Sequence, residues 1–412
     1  MSNLKDYYAV FTSKKMAVML LLGFSSGLPL ALTGGTLQAW LTVSGVDLKT
    51  IGLYSLIGIP YTVKFLWSPF MDRFIPPFFD RRRGWIALCQ ITLAISIVLI
   101  GFQDPQKMVL SIAMLALFTA FASASQDIVI DAYRTDILES VERGLGSAIF
   151  VTGYRIGMLI SGAFAMILSD RIGWQNTYLV MSGLMALNIL STLIAPKPSE
   201  VVSPPKTLQE AVWGPLKDFF TRNHAFIFLL AIILYKLGDA YAGTLTTAFL
   251  IRGVGFSPTD VGAINKGFGL FALILGAMAG GTLMVKMRLF NALIVFGSFQ
   301  AVSNLSFILL DIYGKHYELM IFTIAFENFT GGMGTSAFIA LLMSLCNAQY
   351  SATQYALLSS LASLGRVFIA PTSGYVVSMT GWSVFFFITF LSALPGLIIL
   401  ILMKKSIDNL TK

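Results

Sequence analysis

Twelve apolar stretches, each about 20 residues or longer, run through this chain of 412 residues, and a few charged side chains sit inside them. About 20 helical residues cross the hydrocarbon of a bilayer. The approximate spans are 16–38, 50–71, 85–103, 108–131, 145–168, 175–195, 225–251, 260–285, 291–310, 318–345, 353–378 and 382–403. Only 12% of residues are charged and 56% are apolar, whereas a soluble domain carries about 25% charged residues. An aqueous fold cannot hide that excess, so the chain reads as an all-α polytopic membrane protein.

The basic residues orient it. With the N-terminus inside, eighteen of the 28 Lys and Arg fall in inside segments, five in outside loops and five within spans. Inside positions include Lys14, Lys15, Arg81, Arg82 and Arg83; the outside ones are Lys49, Lys107, Arg171, Arg252 and Lys315. This bias predicts that both termini are cytoplasmic. It also accounts for the net charge of +8 without a nucleic-acid partner. Span 1 follows Lys14 and Lys15 but is too long for a signal-peptide core, and reads as an uncleaved first helix. Cys89 and Cys346 lie in different spans, and His224 and His316 lie at span ends. No disulfide framework, metal site, cofactor or buried histidine relay is expected.

The longest loop, 196–224, separates a six-span half at 1–195 from another at 225–412. Pro196, Pro198, Pro204 and Pro205 keep its start extended, and Thr207 with Glu210 forms a capping-box pattern before Leu208, Val212, Leu216 and Phe219 at helical spacing. That pattern predicts a cytoplasmic amphipathic helix kinked near Pro215. The halves repeat each other. Trp40-Leu41, Gly45-Val46 and Ile51-Gly52 return as Phe249-Leu250, Gly253-Val254 and Val261-Gly262. Gly173-Trp174 with Tyr178 opens span 6, and Gly381-Trp382 with Phe386 opens span 12. Arg155 precedes Gly162 in span 5 as Arg366 precedes Gly374 in span 11. Two pseudo-symmetric six-helix halves are the architecture of major facilitator transporters, whose substrate site lies between the halves near the midplane.

Ser68 through Arg73, then Arg81, Arg82, Arg83 and Gly84, resembles the major facilitator signature between helices 2 and 3, with Ser68 in place of the usual glycine. The expected gating residues are Asp72, which can hold a helix N-terminus by its dipole, and Arg73, which can pair with Asp131 or Asp136. The closer resemblance is to the AmpG family of muropeptide permeases. It is carried by Gly23-Phe24-Ser25-Ser26-Gly27-Leu28-Pro29-Leu30, Lys64-Phe65-Leu66-Trp67-Ser68-Pro69, Ser125-Gln126-Asp127-Ile128-Val129 with Asp131, and Tyr235-Lys236-Leu237-Gly238-Asp239. Phe249 through Phe256, Glu327-Asn328 with Gly331 to Ser336, and Ser351-Ala352-Thr353-Gln354 extend it along the chain. Some members carry extra C-terminal helices beyond this length, which the core activity is then expected not to need.

The resemblance implies a proton-driven importer, in the bacterial inner membrane, of N-acetylglucosaminyl-1,6-anhydro-N-acetylmuramyl peptides released from the cell wall. The partners expected are this anionic sugar-peptide, protons and lipid, with the protein a monomer. Such a cargo needs amide and hydroxyl partners for sugar and cations for peptide carboxylates. Gln38, Gln126, Tyr154, Asn265 and Asn328 are candidates for the first role, and Lys64, Arg155, Lys236, Lys266 and Arg366 for the second. Arg155 and Arg366 reach midplane, where a guanidinium must meet a carboxylate, carbonyl, water or cargo. Lys64 and Lys266 lie nearer span ends and can also snorkel. Lys236 and Asp239, three apart on one face, either neutralise each other or serve cargo and proton.

Carboxylates are the plausible proton carriers. Asp127 and Asp131 share a face of helix 4; Asp127 is read as the coupling or substrate-site acid and Asp131 as a gate residue. Glu327, nearer midplane, and Asp239 compete with Asp127. Gly23, Gly27, Gly34, Gly35, Gly276, Gly280, Gly281, Gly331, Gly332 and Gly334 are expected to allow close helix packing. Kinks are expected at Pro29, Pro60 and Pro371, and interface anchors at Trp85, Trp174 and Trp382. An embedded enzyme lacks its nucleophile or metal constellation, and a receptor or channel fits the paired halves poorly. The serious alternative is a major facilitator transporter of another anionic metabolite, such as an acyl-CoA or a siderophore.

Overall fold

The computed structural model describes residues 13–138, 143–197, 217, 220–221, 224–284, 286–345 and 358–410. Nine of its helices are long and apolar enough to cross a membrane. They are α1 (Lys14–Val43), α5 (Arg81–Gly101), α6 (Val109–Ile137), α7 (143–172), α8 (Trp174–Ile194), α9 (Ala225–Gly253), α10 (Pro258–Met284), α11 (Leu289–Tyr313) and α15 (Trp382–Leu402). A further helix of 28 residues, α12 (Tyr317–Ser344), covers span 10. Most of the loop at 196–224, with its predicted amphipathic helix, lies outside the described residues.

Span 2 and the described part of span 11 are built from short pieces. Span 2 consists of α2 (Leu48–Leu53), a 3₁₀ turn at Tyr54–Gly58, α3 (Ile59–Val63), another at Lys64–Leu66 and α4 (Ser68–Arg73). Pro60 and Pro69 each stand at the start of a new piece, because proline has no N–H to continue the preceding helix. In span 11, α13 (Leu364–Phe368) and α14 (Ser373–Thr380) flank a 3₁₀ turn at Ala370–Thr372 that contains Pro371. Pro29 lies within α1, three residues before a π-helical turn at Leu32–Thr36 where Gly34 leaves helical geometry (φ −91°, ψ −107°). The three predicted kinks thus fall where the backbone is irregular. Pro395 sits inside α15 without ending it.

The repeat is visible in backbone geometry. Gly173 (φ 81°) ends one helix and starts α8, and Gly381 (φ 83°) does the same for α15, each opening a 21-residue helix on a tryptophan. Only glycine adopts that left-handed conformation without strain. The loops that follow Val43 and Gly253 also match, in a register the sequence does not single out. Gly45 (φ 83°) is followed by the N-cap Asp47, and Gly255 (φ 91°) by the N-cap Ser257. Gly255, rather than Gly253, is therefore the conformational counterpart of Gly45. Thr50 donates its hydroxyl to Asp47 at 2.5 Å and its amide at 3.0 Å, and these bonds hold the Asp47 carboxyl below the usual range.

Two compact units form, Met1–Ser44 with Ile57–Pro204 and Gly45–Leu56 with Pro205–Lys412. The segment 45–56, which the sequence assigns to the first half, groups with the second. There α2 lies against α14, where a Cβ on Gly52 would come within 3.0 Å of the Gly374 amide nitrogen and 3.1 Å of the Pro371 carbonyl. In the first unit, α1 and α7 cross through four glycines. A Cβ at Gly23 or Gly27 would strike the Phe150 or Tyr154 carbonyl, and one at Gly153 or Gly157 the Leu20 or Phe24 carbonyl. Spaced four apart on both helices, these residues bring the two backbones together. In the second unit, Gly276, Gly280 and Gly332 do the same for α10 and α12. Gly34 and Gly281 have no atom within 4 Å of such a Cβ, so close packing does not explain them.

Candidate functional site

Two of the candidate residues of the first unit, Gln126 and Asp127, lie on α6, and Lys64 lies within electrostatic range of the second. Gln126, fully buried, accepts a hydrogen bond from the Ser25 hydroxyl at 3.2 Å through Oε1. The Gln90 amide donates to Ser25 at 3.3 Å, and the Thr192 hydroxyl donates to Gln90 Oε1 at 2.7 Å. Four helices therefore share one buried polar chain, and such a network is costly to leave half satisfied. Its open end is Gln126 Nε2, which has no hydrogen-bond partner among the described residues. The Ser26 hydroxyl and Asp127 Oδ1 are also buried, and the hydroxyl lies near enough to the carboxyl to act on it as a hydrogen-bond donor. Lys64, Asp131 and Cys89 lie within electrostatic range of Asp127. A carboxyl buried with so few polar neighbours is unusual enough to need a functional account.

The gate candidates of this unit lie towards the end of α6. Asp136 takes the Arg82 Nε at 2.9 Å, with both side chains about nine-tenths buried. Asp131 is exposed and meets Arg134 Nη2 at 3.2 Å, while that guanidinium lies 4.8 Å from the Phe150 ring centroid. The side chains of Asp72 and Arg73 lie outside the described set, so the expected latch has only its backbone, α4, in the structure. Arg155 on α7 is half-buried with its guanidinium 4.0 Å from the Met158 sulfur. Gln38 and Tyr154 are also half-buried.

In the second unit, the charges converge. Glu327 on α12 shares an electrostatic neighbourhood with Asp239, Lys266 and Lys236. Two lysines from α9 and α10 thus face two acids from α9 and α12, and the cluster is neutral when all four are charged. Lys236 Nζ is 3.8 Å from Asp239 Oδ2 and donates to the Thr335 hydroxyl at 3.0 Å. Asn328 Nδ2 donates to Glu327 Oε2 at 2.6 Å and to the Ile324 carbonyl at 3.0 Å. Asn265 is half-buried on a π-helical stretch, Val261–Phe268, and its Nδ2 has no partner among the described residues. π-turns inside membrane helices often mark functional positions. Arg366 on α13 is exposed.

Sequence reasoning thus named the ionisable members of both groups and three neutral ones, Gln126, Asn265 and Asn328, and missed the other neutral partners. Ser25 stands inside the Gly23–Leu30 motif, and Thr335 inside the Gly331–Ser336 one, so a signal existed for both. Gln90, Thr192 and Phe338 carry none. Gln300 and Asn304 on α11 were also missed, although Gln300 Nε2 and both polar atoms of Asn304 are buried without partners among the described residues.

The Major Facilitator Superfamily profile matches residues 19–358. The chain is 53% identical over 404 residues to the anhydromuropeptide permease of Escherichia coli (strain K12), an alignment covering 98% of this chain and 82% of that one. It is 35% identical to the putative transporter AmpG 4 of Rickettsia felis, over 97% of this chain and 99% of the relative. Among solved structures, the nucleoside transporter NupG superposes with a TM-score of 0.75 at 15% identity, over 95% and 99% of the two chains. A POT family transporter in complex with 5-aminolevulinic acid gives 0.70 at 14%, over 96% of each chain. At those identities the structural likeness bears on the fold alone, whereas the permease alignment runs through the motifs that carry the buried charges. The chain belongs to the AmpG family of the Major Facilitator Superfamily.

Proposed function

We propose that this protein imports anhydromuropeptides from periplasm to cytoplasm with protons, by alternating access between its two halves. The observation that carries the reading is the 53% identity over nearly the whole chain to a protein named anhydromuropeptide permease. The chemistry of the candidate residues of each unit agrees with it. Lys236 and Lys266 are cations for peptide carboxylates, joined by Arg155, Arg366 and Lys64. Gln38, Gln126, Tyr154, Asn265 and Asn328 supply amide and hydroxyl groups for the sugars. Asp127 is the proton carrier, because its buried Oδ1 lies in the field of Lys64 and can exchange a proton against that charge; Glu327 and Asp239 are the competing carriers. The Arg82–Asp136 and Arg134–Asp131 pairs, with Asp72 and Arg73, serve the cytoplasmic gate.

The alternative, another anionic metabolite on the same frame, makes a different prediction for binding. Purified protein is expected to bind anhydromuropeptide in a titration, and an acyl-CoA or a siderophore is expected neither to bind nor to compete. Binding of either competitor with no response to anhydromuropeptide would replace this cargo assignment with the alternative.

A further inference from the structure

Lys236 stands where α9 is interrupted. One helical piece ends at Tyr235, the next begins at Leu237, and Lys236 between them has φ −95° and ψ −1°. Three groups contact its ammonium, the Thr335 hydroxyl at 3.0 Å, Asp239 Oδ2 at 3.8 Å and the Phe338 ring centroid at 6.0 Å, and Glu327 acts on it at longer range. A separation of 3.8 Å is an ion pair but too long for a hydrogen bond. The lysine therefore gives its short bond to a neutral hydroxyl on another helix, although a carboxylate three residues away offers the stronger, charge-assisted partner.

Both neutral neighbours are themselves fixed. Thr335 donates its own proton to the Gly331 carbonyl at 2.7 Å, which leaves its lone pairs for the lysine. Phe338 stacks on Tyr235 with centroids 5.6 Å apart and planes at 4°, and the Tyr235 hydroxyl donates to the Leu293 carbonyl at 3.2 Å. The Lys236 and Asp239 side chains remain 18% and 27% exposed, so an incoming group can reach the pair.

We propose that Thr335, backed by Phe338, is a positioning residue that holds Lys236 off Asp239 and presents its ammonium to a carboxylate of the cargo. The inference rests on the reading of Lys236 as a cargo-binding cation. An ammonium has three N–H donors; Thr335 takes one, and the others stay available because Asp239 is held beyond hydrogen-bond reach. A closed Lys236–Asp239 bond would first have to be broken, leaving a charge uncompensated at a costly depth. The threonine lowers that cost, so an arriving carboxylate exchanges with Asp239 in the ammonium's field.

The test is initial-rate uptake in proteoliposomes with two cargoes, one with its peptide intact and one stripped to the anhydro-disaccharide. Thr335→Val removes the hydroxyl at nearly constant shape, and Thr335→Ser keeps it. Thr335→Val is expected to raise KM for the peptide-bearing cargo roughly tenfold, the size of one charged hydrogen bond, with kcat little changed. The stripped cargo should be unaffected, and Thr335→Ser should restore the parent KM. Lys236→Met should abolish the preference for the peptide-bearing cargo. Equal losses on both cargoes, a fall in kcat alone, or no rescue by serine overturns the positioning role. If Lys236→Met keeps the peptide preference, the cargo-binding reading of Lys236 fails with it, whatever Thr335 does.

Discussion

Asp127→Asn is expected to bring cargo accumulation down to simple equilibration while leaving cargo binding largely intact. The amide keeps the shape and hydrogen-bonding capacity of the carboxyl but cannot take up and release a proton. One coupled charge moving through 100 mV is worth about 2.3 kcal/mol, or roughly 50-fold in concentration, so the loss is large. Asp127 is singled out by its surroundings: it is a carboxyl on α6 with a buried oxygen, beside the Ser26 hydroxyl, near Lys64 and adjacent in sequence to Gln126, the open end of the buried network. Glu327 instead sits among two lysines and a second acid and accepts a hydrogen bond from Asn328. The comparison is accumulation and equilibrium binding for Asp127→Asn and Glu327→Gln side by side. Normal accumulation by the first and none by the second would move the proton to α12.

The largest structural effect is expected at the crossing of α1 and α7. At Gly27 a single methyl would land on the Tyr154 carbonyl, and at Gly153 on that of Leu20. The obstructing atoms are backbone, so no side chain can swing aside and the helices must separate. Overpacking of this kind costs about 1–3 kcal/mol per site, occasionally more. Gly27→Ala and Gly153→Ala should each lower the thermal unfolding temperature of the purified protein, and Gly27→Val should reduce the yield of folded protein outright. Gly183→Ala on α8 is the control, since no atom lies within 4 Å of the added carbon, and it should unfold with the parent. Parent-like stability of Gly27→Ala would mean that α1 and α7 are not packed as closely as described.

What the sequence could convey follows the physics of each feature. Spans and their repeat are set by long apolar runs and by local punctuation, so the helix junctions at Gly173 and Gly381 were legible, down to the tryptophan that opens each following helix. Buried charges were legible too, because Lys236, Asp127 and Glu327 stand out against an apolar background. Apart from Asn328, their neutral partners were not. Nothing in a linear chain tells that Thr335 rather than Asp239 takes the short bond from Lys236, or that Gln90 reaches Ser25, because both depend on the rotation and register of neighbouring helices. The same holds for the glycines: all ten singled out look alike in sequence, yet only those whose Cβ would meet a facing backbone are explained by close packing. Short segments defeat periodicity altogether. The packing of 45–56 against α14 depends on a tertiary contact between Gly52 and Gly374, which no spacing rule predicts.

The central claim is import of anhydromuropeptide driven by protons, and the most direct measurement is uptake of labelled anhydromuropeptide by permease-deficient cells expressing this chain, with and without a protonophore. The account predicts accumulation above the external concentration that collapses when the protonophore is added. No uptake above the permease-deficient background would contradict the cargo, and accumulation that persists with the proton gradient dissipated would contradict the coupling.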